Sequence, residues 1–243
     1  MGFRFGQARK TNLAVLLFLL AGTLLSAFSL SPMSVSLPPS GEGTIQGFRL
    51  TNTSTDTIAI KISVVSRKMD AGGGETLEPA DDMFVVYPSR VILGANAVQV
   101  VKVQWKGSAD VSIEQNFRIV AEQVPVDFDG QKPGNIRILL RYMGTIYVTP
   151  PNASANVVLA SVDKTDEGLA VTLYNKGNAH VLMGNLTLEV KTSETSKTYS
   201  SDELKGFSGE NMLAGLKRTF IVPLPPDMKG DNYNVAFHFD PVH

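Results

Sequence analysis

The stretch Ile136-Arg137-Ile138-Leu139-Leu140-Arg141-Tyr142-Met143-Gly144-Thr145-Ile146-Tyr147-Val148 decides the fold prediction. It is about twice as long as a typical strand. It follows a polar segment, residues 125–135, and ends just before Pro150-Pro151. Successive side chains of a strand point to opposite faces, so one face carries Ile136, Ile138, Leu140, Tyr142 and Ile146. Such an apolar strand beside a polar loop is either an ordinary core strand or a strand whose apolar face is kept for a partner.

The rest of the chain also consists of short runs in which apolar and polar residues alternate. These runs lie at residues 58–64, 99–105 and 117–122, and then at residues 169–173, 186–190, 220–224 and 235–239. No segment keeps apolar residues at helical spacing over three turns. Regular short strands separated by turn residues predict an all-β protein built from β-sandwiches. We place the boundary between two sandwich domains at Pro150-Pro151, which gives domains of residues 30–150 and 151–243.

The N-terminus has the pattern of a secretory signal peptide. Arg4, Arg9 and Lys10 precede a long uncharged run that ends at Leu30, and a basic start with an apolar middle is typical of such signals. The triplet Ala27-Phe28-Ser29 offers a small-x-small cleavage pattern, so we expect residues 1–29 to be removed. The alternative is an uncleaved membrane anchor, because the run approaches the roughly 20 residues that a span needs. After cleavage, no stable membrane insertion is expected.

Composition excludes several functional classes. The chain has 43% hydrophobic and 19% charged residues, which is ordinary for a globular protein, and its net charge of -1 predicts no nucleic-acid partner. It contains no cysteine, so thiolate metal sites and thiol nucleophiles are excluded.

The sequence also lacks a pattern for catalysis. His180, His238 and His243 have no chelating spacing, and the acidic clusters at residues 81–82 and 163–167 lie in turn-like sequence, where Asp commonly stabilises the backbone. No nucleophile elbow or phosphate-binding loop occurs. We therefore predict no catalytic residues, no metal, no cofactor and no enzymatic activity.

Several short motifs follow one another in a characteristic order. Asn52-Thr53-Ser54 is followed by Met83-Phe84-Val85-Val86-Tyr87-Pro88, and Glu114 to Pro125 reads E-x-x-F-R followed by E-x-x-P just before the polar segment. The second half contains Asn175-Lys176-Gly177-Asn178 and a Met212–Phe220 segment that reads M-L-x-G-x-x-x-x-F. Together these motifs resemble those of the periplasmic pilus-assembly chaperones, the PapD-like family. The resemblance covers nearly the whole chain beyond the signal peptide.

The resemblance implies a fold and a function. The fold would be two immunoglobulin-like sandwiches in an L-shaped or boomerang arrangement. In this family the long strand completes the unfinished sandwich of a pilin subunit, a form of β-strand addition. Carried over to this chain, Ile136, Ile138, Leu140 and Tyr142 would contact the subunit. The implied partners are fimbrial subunits and an outer-membrane usher, and the implied location is the periplasm.

One feature of the family's typical members is missing. They carry an Arg in the first strand and a Lys in the long strand, which together hold the carboxylate at the subunit's C-terminus. Residues 31–37 and 143–148 contain neither, and the L-R-Y-x-x-x-I-Y-V pattern resembles the divergent archaic, Csu-like branch. Arg141 and Arg90 remain candidates for the carboxylate anchor. The alternative for both is a solvated charge at the sheet edge.

Two other functions compete with the chaperone. A secreted immunoglobulin-like binding or adhesion module would have the long strand buried in its own core. An exported glycan-acting enzyme would need a positioned carboxylate pair and an aromatic platform, and the chain contains a single Trp. Pilin-like and usher-like genes next to this one would favour the chaperone.

Overall fold

The computed structural model describes residues 28–126, 138–204, 206–207, 209–228, 230 and 232–242. Within these ranges the chain forms strands and no helix, which confirms the all-β prediction. The strands are β1 Phe28–Ser31, β2 Ser34–Leu37, β3 Ile45–Asn52, β4 Ile58–Met69, β5 Glu75–Pro79, β6 Phe84–Tyr87, β7 Arg90–Leu93, β8 Val98–Trp105, β9 Gln115–Val124, β10 Arg141–Val148, β11 Val157–Thr165, β12 Gly168–Asn175, β13 Val181–Lys191, β14 Ser196–Tyr199, β15 Asn211–Met212, β16 Lys217–Val222 and β17 Asn234–Val242.

The first sandwich packs two sheets around one core. One sheet has the order β1-β3-β8-β6, and the other has the order β2-β10-β9-β4-β5, with β7 also paired to β4. The chain changes sheets between β1 and β2, so the first strands of the protein border both sheets. Alternation within β8 explains the packing: Val101, Val103 and Trp105 are buried while their neighbours face solvent. Trp105 meets Phe84 and Phe117 at ring-centroid distances of 5.1 and 5.6 Å.

The second sandwich contains β11 to β17. Its sheets are β11-β12-β16 and a sheet in which β14, β15 and β17 all pair with β13. The alternating residues Leu169, Val171 and Leu173 of β12 and Leu186, Leu188 and Val190 of β13 form the centre of this second core. Residues 149–156 connect β10 to β11, and the domain boundary at Pro150-Pro151 stays a prediction. The strands predicted from alternation are present, whereas the pattern did not predict the short strands β1, β2, β5, β7, β14 and β15.

The long strand is shorter than predicted. In the described residues, β10 begins at Arg141, and residues 138–140 lie outside any strand. Ile136 and Arg137, where the predicted strand begins, lie outside the described residues. The Leu140 carbonyl still accepts a hydrogen bond from the Gln123 amide at 2.9 Å. Leu140 therefore still contacts β9 through its carbonyl, although it lies outside the strand.

Two motif asparagines stabilise turns in the two sandwiches. The Asn52 side-chain amide donates to the carbonyls of Asp56 and Gly94 at 2.8 and 2.9 Å. Asn175 donates to the carbonyls of Ala179 and Met212 at 2.8 and 2.9 Å. Both side chains are fully buried, and a buried amide needs such partners. These motifs are therefore structural.

Among the described residues, none belongs to a helix long and apolar enough to span a bilayer.

Candidate functional site

One edge of β10 is paired along only part of its length. On its other side, β10 pairs with β9 from Arg141 to Val148. The open side pairs with β2 only from Thr145 to Val148, where the amides of Thr145 and Thr149 donate to the carbonyls of Met33 and Leu37. Alternate residues of a strand direct their backbone groups to the same side, so the backbone groups of Arg141 and Met143 face this side as well. No strand in the described ranges covers them.

The side chains near this edge are apolar. We call residues 138–143 the open segment. Ile138 is 72% exposed, and Leu139 and Met143 are also exposed. Leu140 and Tyr142 are half-buried against the first core, and the Tyr142 ring meets Phe28 edge-on at 4.8 Å. The structure thus combines unpaired backbone groups with exposed apolar side chains, the combination that promotes pairing with another chain. Ile136, the remaining predicted contact, lies outside the described residues.

The rest of β10 is enclosed. We call residues 144–148 the closed segment. Ile146 and Val148 are fully buried in the first core. On the opposite face, Tyr147 packs against the second sandwich, where its phenol oxygen accepts a hydrogen bond from the Asn211 amide at 2.6 Å. Burial raises the pKa of the Tyr147 phenol, against the opposing effects of Asn211 and the Arg67 charge. A single strand therefore has one accessible half and one inaccessible half.

The two predicted anchor residues share one groove. Arg90 and Arg141 line a surface groove of about 650 Å³ on the outer face of the second sheet, together with Lys61, Tyr87 and Glu122. Arg141 Nε lies 3.9 Å from Glu122 Oε2, and Lys61 Nζ lies 3.6 Å from Glu122 Oε1. All three cations are largely exposed. Lys61 and Arg141 share the Glu122 carboxylate, which is typical of solvent-exposed charges at a sheet edge.

Glu114, from the E-x-x-F-R motif, joins the two sandwiches. Its side chain is 1% exposed. Glu114 Oε1 accepts the backbone N–H of His180 at 3.0 Å and lies 2.7 Å from His180 Nδ1, while Oε2 accepts the Thr149 hydroxyl at 2.8 Å. The imidazole of His180 stacks on the Tyr147 ring with centroids 3.5 Å apart. Glu114 therefore fastens the second sandwich to the end of the closed segment.

A second charged cluster, in the first sandwich, contains one buried arginine with unfilled donors and two partly exposed partners. Glu75 Oε1 lies 2.6 Å from both Arg67 Nη2 and Arg118 Nη2, and Arg118 Nη1 donates to the Thr145 hydroxyl of the closed segment at 2.5 Å. Burial would raise the pKa of the Glu75 carboxyl, but hydrogen bonds and charges from Arg118 and Arg67 outweigh it and hold the pKa below its ordinary value. Arg67 Nε and Nη1 are buried without a hydrogen-bond partner in the described part of the chain.

Sequence reasoning missed this cluster for a topological reason. Arg118 belongs to a quoted motif, but Arg67 and Glu75 lie in β4 and β5 and read as ordinary polar positions of alternating strands. Only the pairing of β4 with both β5 and β9 brings the three side chains together. No group of three or more His, Asp or Glu side chains suited to a metal occurs within the described residues.

Comparison with known proteins identifies the fold. No family model matches the chain, and no curated protein matches it in sequence. Among solved structures, it is similar to a chaperone–tip adhesin complex of CFA/I fimbriae biogenesis, with a TM-score of 0.58 and 18% identity over 87% of this chain and 94% of that one.

Two further structures give the same result. The CsuC–CsuE chaperone–tip subunit complex of the archaic Csu pili of Acinetobacter baumannii matches with a TM-score of 0.58 and 13% identity, covering 87% of this chain and 98% of that one. The Salmonella enterica SafA pilin–SafB chaperone complex matches with a TM-score of 0.55 and 15% identity, covering 83% and 86%. At these identities the likeness concerns the fold. The chain has the two-sandwich fold of fimbrial chaperones, which confirms the fold predicted from the order of its motifs.

Proposed function

We propose that this protein is a periplasmic chaperone that binds fimbrial subunits by adding its open segment to a subunit that lacks a strand. The observation that carries the proposal is the unpaired edge of β10 between Arg141 and Met143, beside the 72% exposed side chain of Ile138. The rival binding module requires a long strand buried in its own core. The exposure of the open segment favours the chaperone.

The physical basis is strand addition. The free N–H and C=O groups of Arg141 and Met143 can extend a partner's sheet, and the alternating side chains can fill a groove on the partner. Full burial of an apolar side chain such as Ile138 contributes about 1.5–3 kcal/mol before ordering costs. Leu140 and Tyr142 are already half-buried, so each has less area left to bury. We therefore assign Ile138 the largest contribution, with Ile136, Leu140 and Tyr142 as the other contacts.

The class of partner comes from the structural relatives. Their complexes contain a tip adhesin, a tip subunit and a pilin, so we propose that the partner here is a fimbrial subunit of the same architecture. Delivery of that subunit to an outer-membrane usher completes the proposal, since one relative comes from a chaperone–usher system. The proposed activity is holding and transfer, with no catalytic step.

Arg141 and Arg90 remain the proposed residues for contact with a subunit carboxylate. Arg gains most from a carboxylate when it binds bidentately in a desolvated site. Both side chains are exposed in a shared groove, and Arg141 already lies near Glu122. We expect their contribution to capture to be small compared with that of the apolar contacts.

Subunit capture provides the test. The chain is co-expressed in the periplasm with a tagged pilin-like subunit encoded next to its gene, and the amount that co-purifies is measured for the unchanged chain and for Ile138→Asp. We expect the variant to fold and to lose most of the captured subunit. The matched control is Ile221→Asp, which changes an exposed isoleucine on β16 of the second sandwich. Equal capture by all three chains would refute the proposal.

A further inference from the structure

The methionines of this protein differ in how far solvent reaches their sulfur atoms. The described ranges contain seven methionines, of which only Met33 and Met143 are exposed, at 46% and 42%. Met83 is half-buried against the first core, and Met69 is half-buried with its sulfur 3.5 Å from Arg218 Nη1. The remaining three are buried: Met183, Met212 and Met228. Among the described residues, the accessible thioethers are therefore those of Met33 and Met143.

These two methionines flank the point where pairing on the open side of β10 stops. The Thr145 amide donates to the Met33 carbonyl at 2.8 Å, and Met143 is the next residue whose backbone groups face the same side. A Cβ atom at Gly144 would lie 3.1 Å from the Met33 carbonyl oxygen, so the backbone at Met33 runs close against β10. A partner strand paired with Met143 would therefore end beside Met33, and its side chains would lie within about 5 Å of that of Met143.

Thioethers are the oxidisable sulfur atoms of this chain, because it contains no cysteine. An oxidant reaches an exposed thioether before a buried one. Oxidation turns the flexible apolar side chain of methionine into a polar sulfoxide, which disrupts interfaces that use methionine. At Met143 the sulfoxide oxygen would lie where an added strand excludes water, and burial of a polar group without a hydrogen bond is unfavourable.

We propose that Met33 and Met143 form an oxidation-sensitive site, at which conversion of the thioethers to sulfoxides weakens the binding of a partner to the open segment. With hypochlorous acid as the oxidant, each sulfur loses two electrons and gains the oxygen atom of the acid, which leaves chloride and one proton. A dithiol reverses the step through a methionine sulfoxide reductase, with the oxygen released as water and the dithiol oxidised to a disulfide. This inference rests on the proposed function, because it concerns the same surface.

The order of oxidation is the first test, and it needs no partner. The purified protein receives stepwise additions of hypochlorous acid, and peptide mass spectrometry measures the sulfoxide at each methionine. We expect Met33 and Met143 to be oxidised before the other five described methionines, while circular dichroism shows a folded chain. Earlier or equal oxidation of Met69 or Met83 would overturn the proposal, and so would unfolding at the same dose.

Subunit binding tests the consequence of oxidation. A purified pilin-like subunit is titrated into each chain before and after oxidation, and the ratio of the two affinities is compared between chains. For the unchanged chain we expect about 10-fold weaker binding after oxidation, with recovery on treatment with dithiothreitol and methionine sulfoxide reductases. The double variant Met33→Leu, Met143→Leu should give a ratio near one, because leucine has a similar volume and no sulfur. The control Met83→Leu should behave as the unchanged chain does.

The outcomes separate this inference from the proposed function. Equal affinity before and after oxidation would refute the inference alone. The same conclusion would follow if the double leucine variant lost as much affinity as the unchanged chain, or if the reductases restored none of it. An untreated chain that binds no subunit would refute the proposed function, and the inference with it.

Discussion

The open and closed segments are neighbours in the chain but differ in what covers them. The closed segment has β9 on one side, β2 on the other, the first core beneath it and the second sandwich above it. The open segment is paired only with β9, from Arg141 on, and its first residue, Ile138, is exposed. Both halves consist mainly of apolar residues. The difference shows that one strand can be enclosed at one end and exposed at the other, depending on what its neighbours cover, and we propose that the exposed end binds the partner.

The largest expected effect compares the same residue type in the two halves. Ile146 is fully buried, so Ile146→Asp places a carboxylate in the core and should cost more than about 4 kcal/mol, enough to prevent folding. Ile138→Asp should change the free energy of unfolding by less than about 0.5 kcal/mol, because its side chain already faces solvent. Periplasmic yield and urea unfolding measure both. Similar losses in the two variants would mean that the halves are not distinct.

Proline substitution tests which backbone groups are free. Tyr142 directs its N–H towards β9, whereas Met143 directs its N–H to the open side, as Thr145 does. Tyr142→Pro removes a ladder hydrogen bond and leaves its partner carbonyl on β9 unsatisfied, which should destabilise the protein by about 1–3 kcal/mol. Met143→Pro should leave a folded protein, because proline is tolerated on an open edge, but it should weaken subunit binding by about 10-fold or more.

Thermal unfolding and titration of a purified subunit separate these two effects. The comparison of the halves would be wrong if Met143→Pro unfolded like Tyr142→Pro, or if it bound the subunit as tightly as the unchanged chain.

A smaller effect concerns pH and the Arg67–Glu75–Arg118 cluster, which contacts the closed segment through Thr145. The pKa of Glu75 is held below its ordinary value in the folded protein. Its favourable contribution is therefore complete above its unfolded pKa of about 4.3 and is lost as the pH falls through the lower, folded pKa. We expect Glu75→Gln to make the loss of stability between about pH 5 and pH 2 shallower. Glu78→Gln, on the same strand but exposed beside Lys68, is the control.

Thermal melts across this pH range provide the measurement for Glu75. An identical acid dependence in Glu75→Gln and the unchanged chain would show that the cluster does not stabilise the closed segment through this carboxylate.

The smallest expected effect is that of the charge in the open segment. Arg141→Ala should weaken subunit affinity by less than about 5-fold, because an exposed charge pair contributes below about 1 kcal/mol. Leu140→Ala should weaken it more, since it removes apolar contact area. Isothermal titration at physiological salt compares the two, with Arg90→Ala as a second exposed cation. If Arg141→Ala binds clearly more weakly than Leu140→Ala, the arginine anchors a carboxylate after all.

The sequence by itself determined the all-β class, the two sandwiches and the position of β10. These follow from alternation and turn residues, which are local and therefore visible in one chain. It also pointed to Ile138, because an apolar residue next to a polar loop stands out. The short strands β1, β2, β5, β7, β14 and β15 escaped prediction from the pattern, because two to five residues carry little alternation.

Only the tertiary structure decided which half of β10 is covered. Pairing with β2 stops at Thr145, and that limit depends on where the chain crosses between sheets after β1. The contact of Phe28 with Tyr142, the Arg67–Glu75–Arg118 cluster and the Glu114–His180 bridge likewise join residues from distant parts of the chain. Local patterns cannot specify such neighbours, because each side chain alone has an ordinary place in its strand and acquires its role from the strands packed around it.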